Sequence, residues 1–281
     1  MYYNFSLLFT YFLLYAIIGW TCEVAYCSIP EKKFVNRGFL NGPYCPIYGV
    51  GAIIIVIFLG PYVHNPVEVF LIGLITTSVL EYITSWGMEK TFHAKWWDYS
   101  KAKFNINGRV CLKNSILFGV MSLVLMYFLH PFLQGLIADI SQFFLVILAT
   151  IAAVLFTADV VESTRETLDF NKKLGTVYEA TTELKNILKE KGINTAHDLK
   201  VKVKDLKSET LSGANEKLSD AKDSAHNVLA NLTSRILENK KFNRYTHRRI
   251  LNAFPHMTHR KHPDSLEVYK VLLEKYKKQT P

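Results

Sequence analysis

Val67-Glu-Val-Phe-Leu-Ile-Gly-Leu-Ile-Thr-Thr-Ser-Val-Leu-Glu-Tyr-Ile-Thr-Ser-Trp-Gly-Met88 holds two glutamates and no basic side chain. A helix needs about 17–25 mostly apolar residues to cross the hydrocarbon of a bilayer, and this stretch has them. Gly73, Thr77, Glu81 and Ser85 recur every fourth residue, so they line one helix face. Small residues let helices approach closely, and this stripe is therefore expected at a helix–helix interface. A charge at membrane depth costs about 2.5–3.5 kcal/mol even on the gentler insertion scales, so Glu81 is expected to face the bundle or a wet cavity.

Four more apolar runs flank this one, at residues 5–26, 44–62, 115–130 and 140–158. In the first, Tyr11, Tyr15, Gly19 and Glu23 form a second stripe at the same spacing. A single run could be the buried helix of a soluble core. Five in succession, with little charge inside them, predict an all-α polytopic membrane bundle of about five helices.

The average composition, 49% hydrophobic with a mean hydropathy of +0.11, hides a sharp step. Residues 1–161 carry nine Lys and Arg against eight Asp and Glu, and the remainder carries a net charge of +8. This step predicts two parts, a transmembrane bundle over residues 1–160 and a basic, helical cytoplasmic extension over residues 161–281. All nine basic residues of the first part lie either between the first and second runs (Lys32, Lys33, Arg37) or between the third and fourth (Lys90, Lys95, Lys101, Lys103, Arg109, Lys113). The positive-inside rule then places the N-terminus outside and both basic loops and the extension in the cytoplasm. The first run has no basic segment ahead of it and reads as a retained span rather than a removed signal.

The two basic loops concentrate the residues with recognition chemistry. The first supplies Arg37 and Asn41, with Tyr44 at the interface. The second supplies Asp98, Asn105 and Arg109, with Trp96, Trp97 and Tyr99 as aromatic anchors at headgroup level. Arg37 and Arg109 are natural counter-charges for Glu23 and Glu81, because the guanidinium fork matches a carboxylate or a phosphate. The expected polar site thus joins Glu23, Arg37, Asn41, Glu81, Asp98, Asn105 and Arg109 at the cytoplasmic face. A structural cap held by Arg–carboxylate pairs is the competing reading. The cysteines Cys22, Cys27, Cys45 and Cys111 show no C-x-x-C spacing, so reduced thiols are expected and neither metal nor cofactor is. The glycines form no phosphate-binding loop, so ATP hydrolysis would require a separate ATPase subunit.

Several stretches are diagnostic together: Gly19-Trp-x-x-Glu23, Phe34-Val-Asn-Arg-Gly-Phe-Leu-Asn-Gly-Pro43, Pro46-Ile-Tyr-Gly49, Leu80-Glu-Tyr82, Met88-Glu-Lys90, Trp97-Asp-Tyr99 and Phe104-Asn-Ile-Asn-Gly-Arg-Val-Cys-Leu112. With them the chain resembles a bacterial ABC-transporter permease family, the group labelled type IV, over roughly residues 5–160. A weaker likeness returns at Arg248-Arg-Ile-Leu-Asn-Ala-Phe-Pro255. The resemblance implies a multi-pass inner-membrane protein serving as a permease subunit, with no particular substrate.

Beyond residue 160 the pattern stays helical, and the fifth span is expected to run on as a long helix. Leu211, Ala214, Leu218, Ala221, Ala225, Val228 and Leu232 alternate by three and four, which predicts a thin coiled coil or a helix laid on a partner, a route to homo-oligomers. The basic stretch from Lys240 to Lys261 favours anionic membrane lipids over nucleic acid, for which no folded module is present. Two other functions stay open. One is a membrane enzyme acting on a lipid-linked or phosphate-bearing substrate, with Glu81 or Asp98 as base. The other is a non-catalytic scaffold or sensor.

Overall fold

The computed structural model describes residues 4–190, 244–254, 257–259 and 266. Helix α1 spans Phe5–Glu31, and the Asn4 side chain caps it by accepting from the Leu7 N–H at 2.9 Å. Helix α2 (Pro46–Leu59) opens with proline in its first turn and passes into a 3₁₀ turn, Gly60–Tyr62. Helix α3 (Pro66–Phe92) is capped by Asn65, which accepts from the Val67 N–H at 3.1 Å, and it stops at His93 in the left-handed region.

Helix α4 (Leu112–Val124), a π-helical turn (Leu125–Leu129) and α5 (His130–Ala138) follow one another without a break. The fourth span is therefore longer than the apolar run alone suggests. Pro131 lacks an N–H and crowds the preceding turn, and the wider π turn just before it accommodates that mismatch. Helix α6 runs Gln142–Glu190. At about 1.5 Å per residue it is far longer than a bilayer is thick, as expected for a span that continues beyond the membrane.

Among the described residues four helical stretches are long and apolar enough to cross a membrane: Phe5–Glu31, Pro66–Phe92, Leu112–Ala138 and the apolar part of α6. The remaining expected span, the second run at residues 44–62, corresponds to the shorter apolar stretch Pro46–Tyr62. Among the described residues, strand content is confined to two-residue pieces. Strands β2 (Asn105–Ile106) and β3 (Val110–Cys111) form a hairpin, and β1 (Ala94–Lys95) pairs antiparallel with β4 (Thr258–His259).

The chain divides into two compact units, Met1–Leu168 with Tyr245–Arg260, and Asp169–Arg244 with Lys261–Pro281. In the first, α3 packs chiefly on α4, and α1 on α2. Tyr11, Tyr15, Ile55, Leu59, Val69, Leu125, Met126 and Leu133 form its apolar centre. The bundle is inside-out relative to a soluble core. On α3, Gly73, Glu81, Ser85 and Glu89 are buried, whereas Leu71, Ile75, Val79 and Ile83 are each at least half exposed. The stripe read from the sequence is the packed face, and Gly73 approaches Ser122 so closely that a Cβ would sit 2.4 Å from its Oγ. A short helix, α7 (Arg244–Ala253), also belongs largely to this unit. In the second unit the described residues are chiefly the end of α6. The heptad-like stretch at 211–232 and Pro255 lie outside the described residues.

Candidate functional site

The first loop is organised by a residue from α6. Asp159 accepts from the Gly42 N–H at 2.8 Å, the Tyr44 hydroxyl at 2.8 Å and the Asn41 N–H at 3.1 Å. The Asn41 side-chain amide reaches Ser163 at 3.1 Å and Glu166 at 3.0 Å. Backbone amides have no fixed negative partner in a loop, and one carboxylate collects two of them here. Burial, reinforced by the hydrogen bond to Asp159, pushes the Tyr44 hydroxyl pKa well above its ordinary value. Tyr44 and Asn41 therefore hold the loop on α6.

Beneath this loop sits the Glu23 cluster. Glu23 accepts from the Tyr48 hydroxyl at 2.6 Å and pairs with Arg37 Nε at 3.3 Å. Gly19 makes room for Tyr48, whose ring would lie 2.4 Å from a Cβ at that position. The Cys45 thiol is pushed up to about 12 by burial and then by the Glu23 charge, with Arg37 opposing. Glu81 hydrogen-bonds with the Tyr99 hydroxyl and lies within Coulombic reach of Glu23. It is 5% exposed, and its Oε2 has no hydrogen-bond partner among the described residues. Burial, followed by the Glu81 charge, raises the Tyr99 hydroxyl. Higher on the α1 stripe, the Tyr15 hydroxyl and His130 Nδ1 are 2.6 Å apart, both buried.

The second loop is a folded cap. A hairpin turn at Asn107 (φ 54°) and Gly108 (φ 69°) closes β2 on β3, the left-handed pair that an Asn-Gly turn supplies. A Cβ on Gly108 would lie 2.5 Å from Asp98 Oδ1. Asp98 accepts from the Ser100 N–H at 3.0 Å and from its hydroxyl, and this holds its pKa below the usual carboxylate range. Asn105 accepts from the Gly108 N–H at 3.0 Å and donates to the Ala102 carbonyl at 2.8 Å. Arg109 pairs with Glu89 at 2.5 Å and lies over the Tyr82 ring, its centroid 5.3 Å away. The Trp97 indole donates to the Arg109 carbonyl at 3.0 Å. Glu89, Lys95, Asp98, Asn107, Arg109 and Thr258 line an open cavity of about 460 Å³.

The seven residues expected at one site thus fall into three groups. Glu23 and Arg37 are paired, with Glu81 close by. Asn41 belongs to the Asp159 cluster. Asp98 and Asn105 shape the second loop, and Arg109 is held by Glu89 rather than by Glu81. Among the aromatics expected at headgroup level, Trp96 is 3% exposed and packs edge-on against Phe254, with ring centroids 4.7 Å apart, so it serves as core of the cap. Trp97, Tyr99 and Tyr44 are half-buried, each with a polar partner.

Sequence reasoning did not place Asp159, Glu89, Tyr48 or Arg249 in the polar site, although Tyr48, Glu89 and Arg249 lie within the diagnostic stretches. Glu89 continues the four-residue spacing of Gly73, Thr77, Glu81 and Ser85, and that signal could have found it. Asp159 stands alone after a long apolar run, a weaker sign of the same kind. Among the described residues no three His, Cys, Asp or Glu side chains converge as a metal-ligand set.

A helical bundle with apolar ridges turned outward and a buried carboxylate in its packed stripe defines a multi-pass integral membrane protein. Comparison of the chain with curated proteins and with solved structures returned no match. Residues 10–164, more than half of the chain, match the family described as Putative ABC-transporter type IV, and the protein belongs to that family.

Proposed function

We propose that this chain is the membrane-embedded permease subunit of a transporter, and that the Glu23–Glu81 cluster receives a permeant positive charge, a proton or a small cation. The observation that carries this reading is Glu81. It is a carboxyl 5% exposed, on the packed face of a membrane-spanning helix, with one oxygen lacking a hydrogen-bond partner among the described residues. Ionisable groups at that depth are costly to keep, and those that persist commonly mark ion pathways and proton relays. The neighbours suit the role. Tyr99 holds one side of Glu81, and Glu23 adds a second negative charge whose own partner, Arg37, sits on the loop side. An ATP-driven version requires a separate ATPase subunit. Both basic loops face the cytoplasm in this reading, so the cluster opens to that side.

Proteoliposomes carrying the purified chain test it. An entrapped pH dye reads proton uptake and radioactive sodium reads cation uptake. Glu81→Gln is expected to reduce whichever signal the wild type shows by about 100-fold, the scale of losing a positioned proton-transfer group. Uptake that survives Glu23→Gln combined with Glu81→Gln would count against the proposal. Orientation is checked in intact cells with an impermeant maleimide. His64→Cys is expected to react from outside, and Lys101→Cys only after permeabilisation; the reverse pattern overturns the topology.

The cavity beside Arg109 supports a second reading, an enzyme acting on a phosphate-bearing lipid. Lys95 and Arg109 line it together with Asp98, so cations and a carboxylate face one space. Turnover of a phospholipid by the purified chain, lost in Asp98→Asn, would favour this reading over transport.

A further inference from the structure

The segment formed by residues 249–254 and 257–259 returns to the bundle across more than 200 residues of sequence and touches both loops. Arg249, 6% exposed, donates to three consecutive carbonyls of the first loop, Gly38 at 3.0 Å, Phe39 at 2.9 Å and Leu40 at 2.9 Å. Gly38 at φ +119° gives the loop the bend that brings these carbonyls to one guanidinium. Phe254 lies edge-on to Trp96, which also packs on Phe39 and Phe92. Thr258 and His259 extend the second loop by pairing with Lys95 and Ala94.

These contacts converge on Arg37. Its Nε pairs with Glu23, its Nη1 donates to the Ala253 carbonyl, and its plane lies 4.8 Å from the Phe254 ring centroid. The counter-charge of the intramembrane acid is thus held from both sides, by Glu23 within the bundle and by the returning segment. Cys45 lies directly below, since a Cβ on Gly38 would be 3.1 Å from its Sγ.

We propose that residues 249–254 and 257–259 act as a strap that gates the loop-bearing mouth of the bundle. Docked, the strap holds Arg37 against Glu23 and fixes the Gly38 bend that lies against Cys45. Released, it frees Arg37 to turn away and further exposes Glu23, whose side chain is 27% exposed when docked. The anchors suit reversible attachment. A two-residue strand pair is marginal on its own. The Arg249 fork bonds neutral carbonyls, which water can replace when the strap leaves. The segment also buries Ile250, Ala253 and Phe254, so the docked state predominates and release is a local opening of the fold.

The role of the strap in flux rests on the transport reading above, but its docking does not, and the experiment separates the two. The full chain carries Cys22→Ser, Cys27→Ser and Cys111→Ser, so that Cys45 is the native reporter. Modification by an impermeant maleimide is followed at Cys45 by peptide mass spectrometry. Lys95→Cys with Thr258→Cys places a disulfide across the β1–β4 pair, whose register sets these residues opposite one another. The oxidised lock is expected to slow Cys45 modification about tenfold relative to the same protein after reduction, as loss of a local opening requires. Arg249→Gln and Phe254→Ala are expected to accelerate it by a similar factor, and adding the oxidised lock to either should reverse the gain.

Equal Cys45 rates in the oxidised and reduced lock overturn the proposal. If Arg249→Gln does not fold, Phe254→Ala and the lock still decide between docking and its absence. In proteoliposomes the oxidised lock is expected to suppress uptake, and reduction to restore it. Absence of uptake in every variant defeats the transport reading while the thiol rates still judge the strap. Uptake that is equal in the two states of the lock overturns its role as a gate.

Discussion

Glu89 and Arg109 meet at 2.5 Å, where the last turn of α3 faces the hairpin of the second loop. The Glu89 side chain is 8% exposed and that of Arg109 15%, and both line the open cavity, which lets water reach the pair from one side. The pair ties the cap to the helix that carries Glu81 two turns away, and the Glu89 carboxylate raises the Arg109 pKa. Glu89→Gln should lower stability by about 2 kcal/mol, the scale of a hydrogen bond to a charged group. Thermal unfolding in detergent reads this as a drop in Tm. An unchanged Tm would mean that the Tyr82 ring and cavity water hold Arg109 without Glu89.

Asp159 carries the first loop on α6. Its replacement by Asn keeps one acceptor oxygen but turns an amide N–H₂ toward donors from Gly42 or Tyr44. Asp159→Asn should therefore cost about 2 kcal/mol, and Tyr44→Phe about 1 kcal/mol, because the latter removes a single donor. Limited proteolysis between residues 33 and 44 should speed up in the same order. Equal rates in wild type and Asp159→Asn would show that the loop is held by something else.

Gly73 tests the α3–α4 interface. A Cβ there would lie 2.4 Å from Ser122 Oγ and 2.5 Å from its Cβ, a collision with side-chain atoms next to the backbone. Gly73→Val should destabilise the bundle by about 1–3 kcal/mol through overpacking. Pairing it with Ser122→Gly should recover most of the loss. Circular dichroism melts of the two variants give the comparison, and an additive rather than compensating double variant would place the strain elsewhere.

Cys45 offers a pH signature. Maleimide reacts with the thiolate, and the Cys45 thiol is pushed up to about 12 by burial and by the Glu23 charge. A raised pKa leaves less thiolate at any given pH. Modification of Cys45 should therefore keep accelerating, about tenfold per pH unit, between pH 8 and pH 10, where a thiol of ordinary pKa near 8.5 has levelled off. Glu23→Gln removes the second cause of the shift and should move the profile to lower pH. A profile that levels near pH 9 in the wild type would show that solvent reaches the thiol freely.

Much of this architecture is written in local pattern. Membrane spans follow from apolar length, because unpaired backbone polar groups in hydrocarbon leave helices as the available choice. The packed face of α3 follows from the four-residue spacing of Gly73, Thr77, Glu81 and Ser85, since lipid takes the apolar side and the bundle takes the rest. The Asn107-Gly108 turn and the Asn4 and Asn65 caps are equally local, each set by the backbone chemistry of one or two side chains.

Partner choice is a different matter, and only the tertiary structure decided it. Arg109 lies nearer in sequence to Glu81 and Glu89 than to any other membrane acid, yet which of the two it meets depends on how far the hairpin stands from the end of α3. Asp159 finds Gly42 across 117 positions, and Arg249 finds Gly38 across 211. Their acceptors and donors are backbone groups, which nearly every residue carries alike, so no residue type marks them. Periodicity tells a side chain which way to face; only the assembled bundle determines what stands opposite.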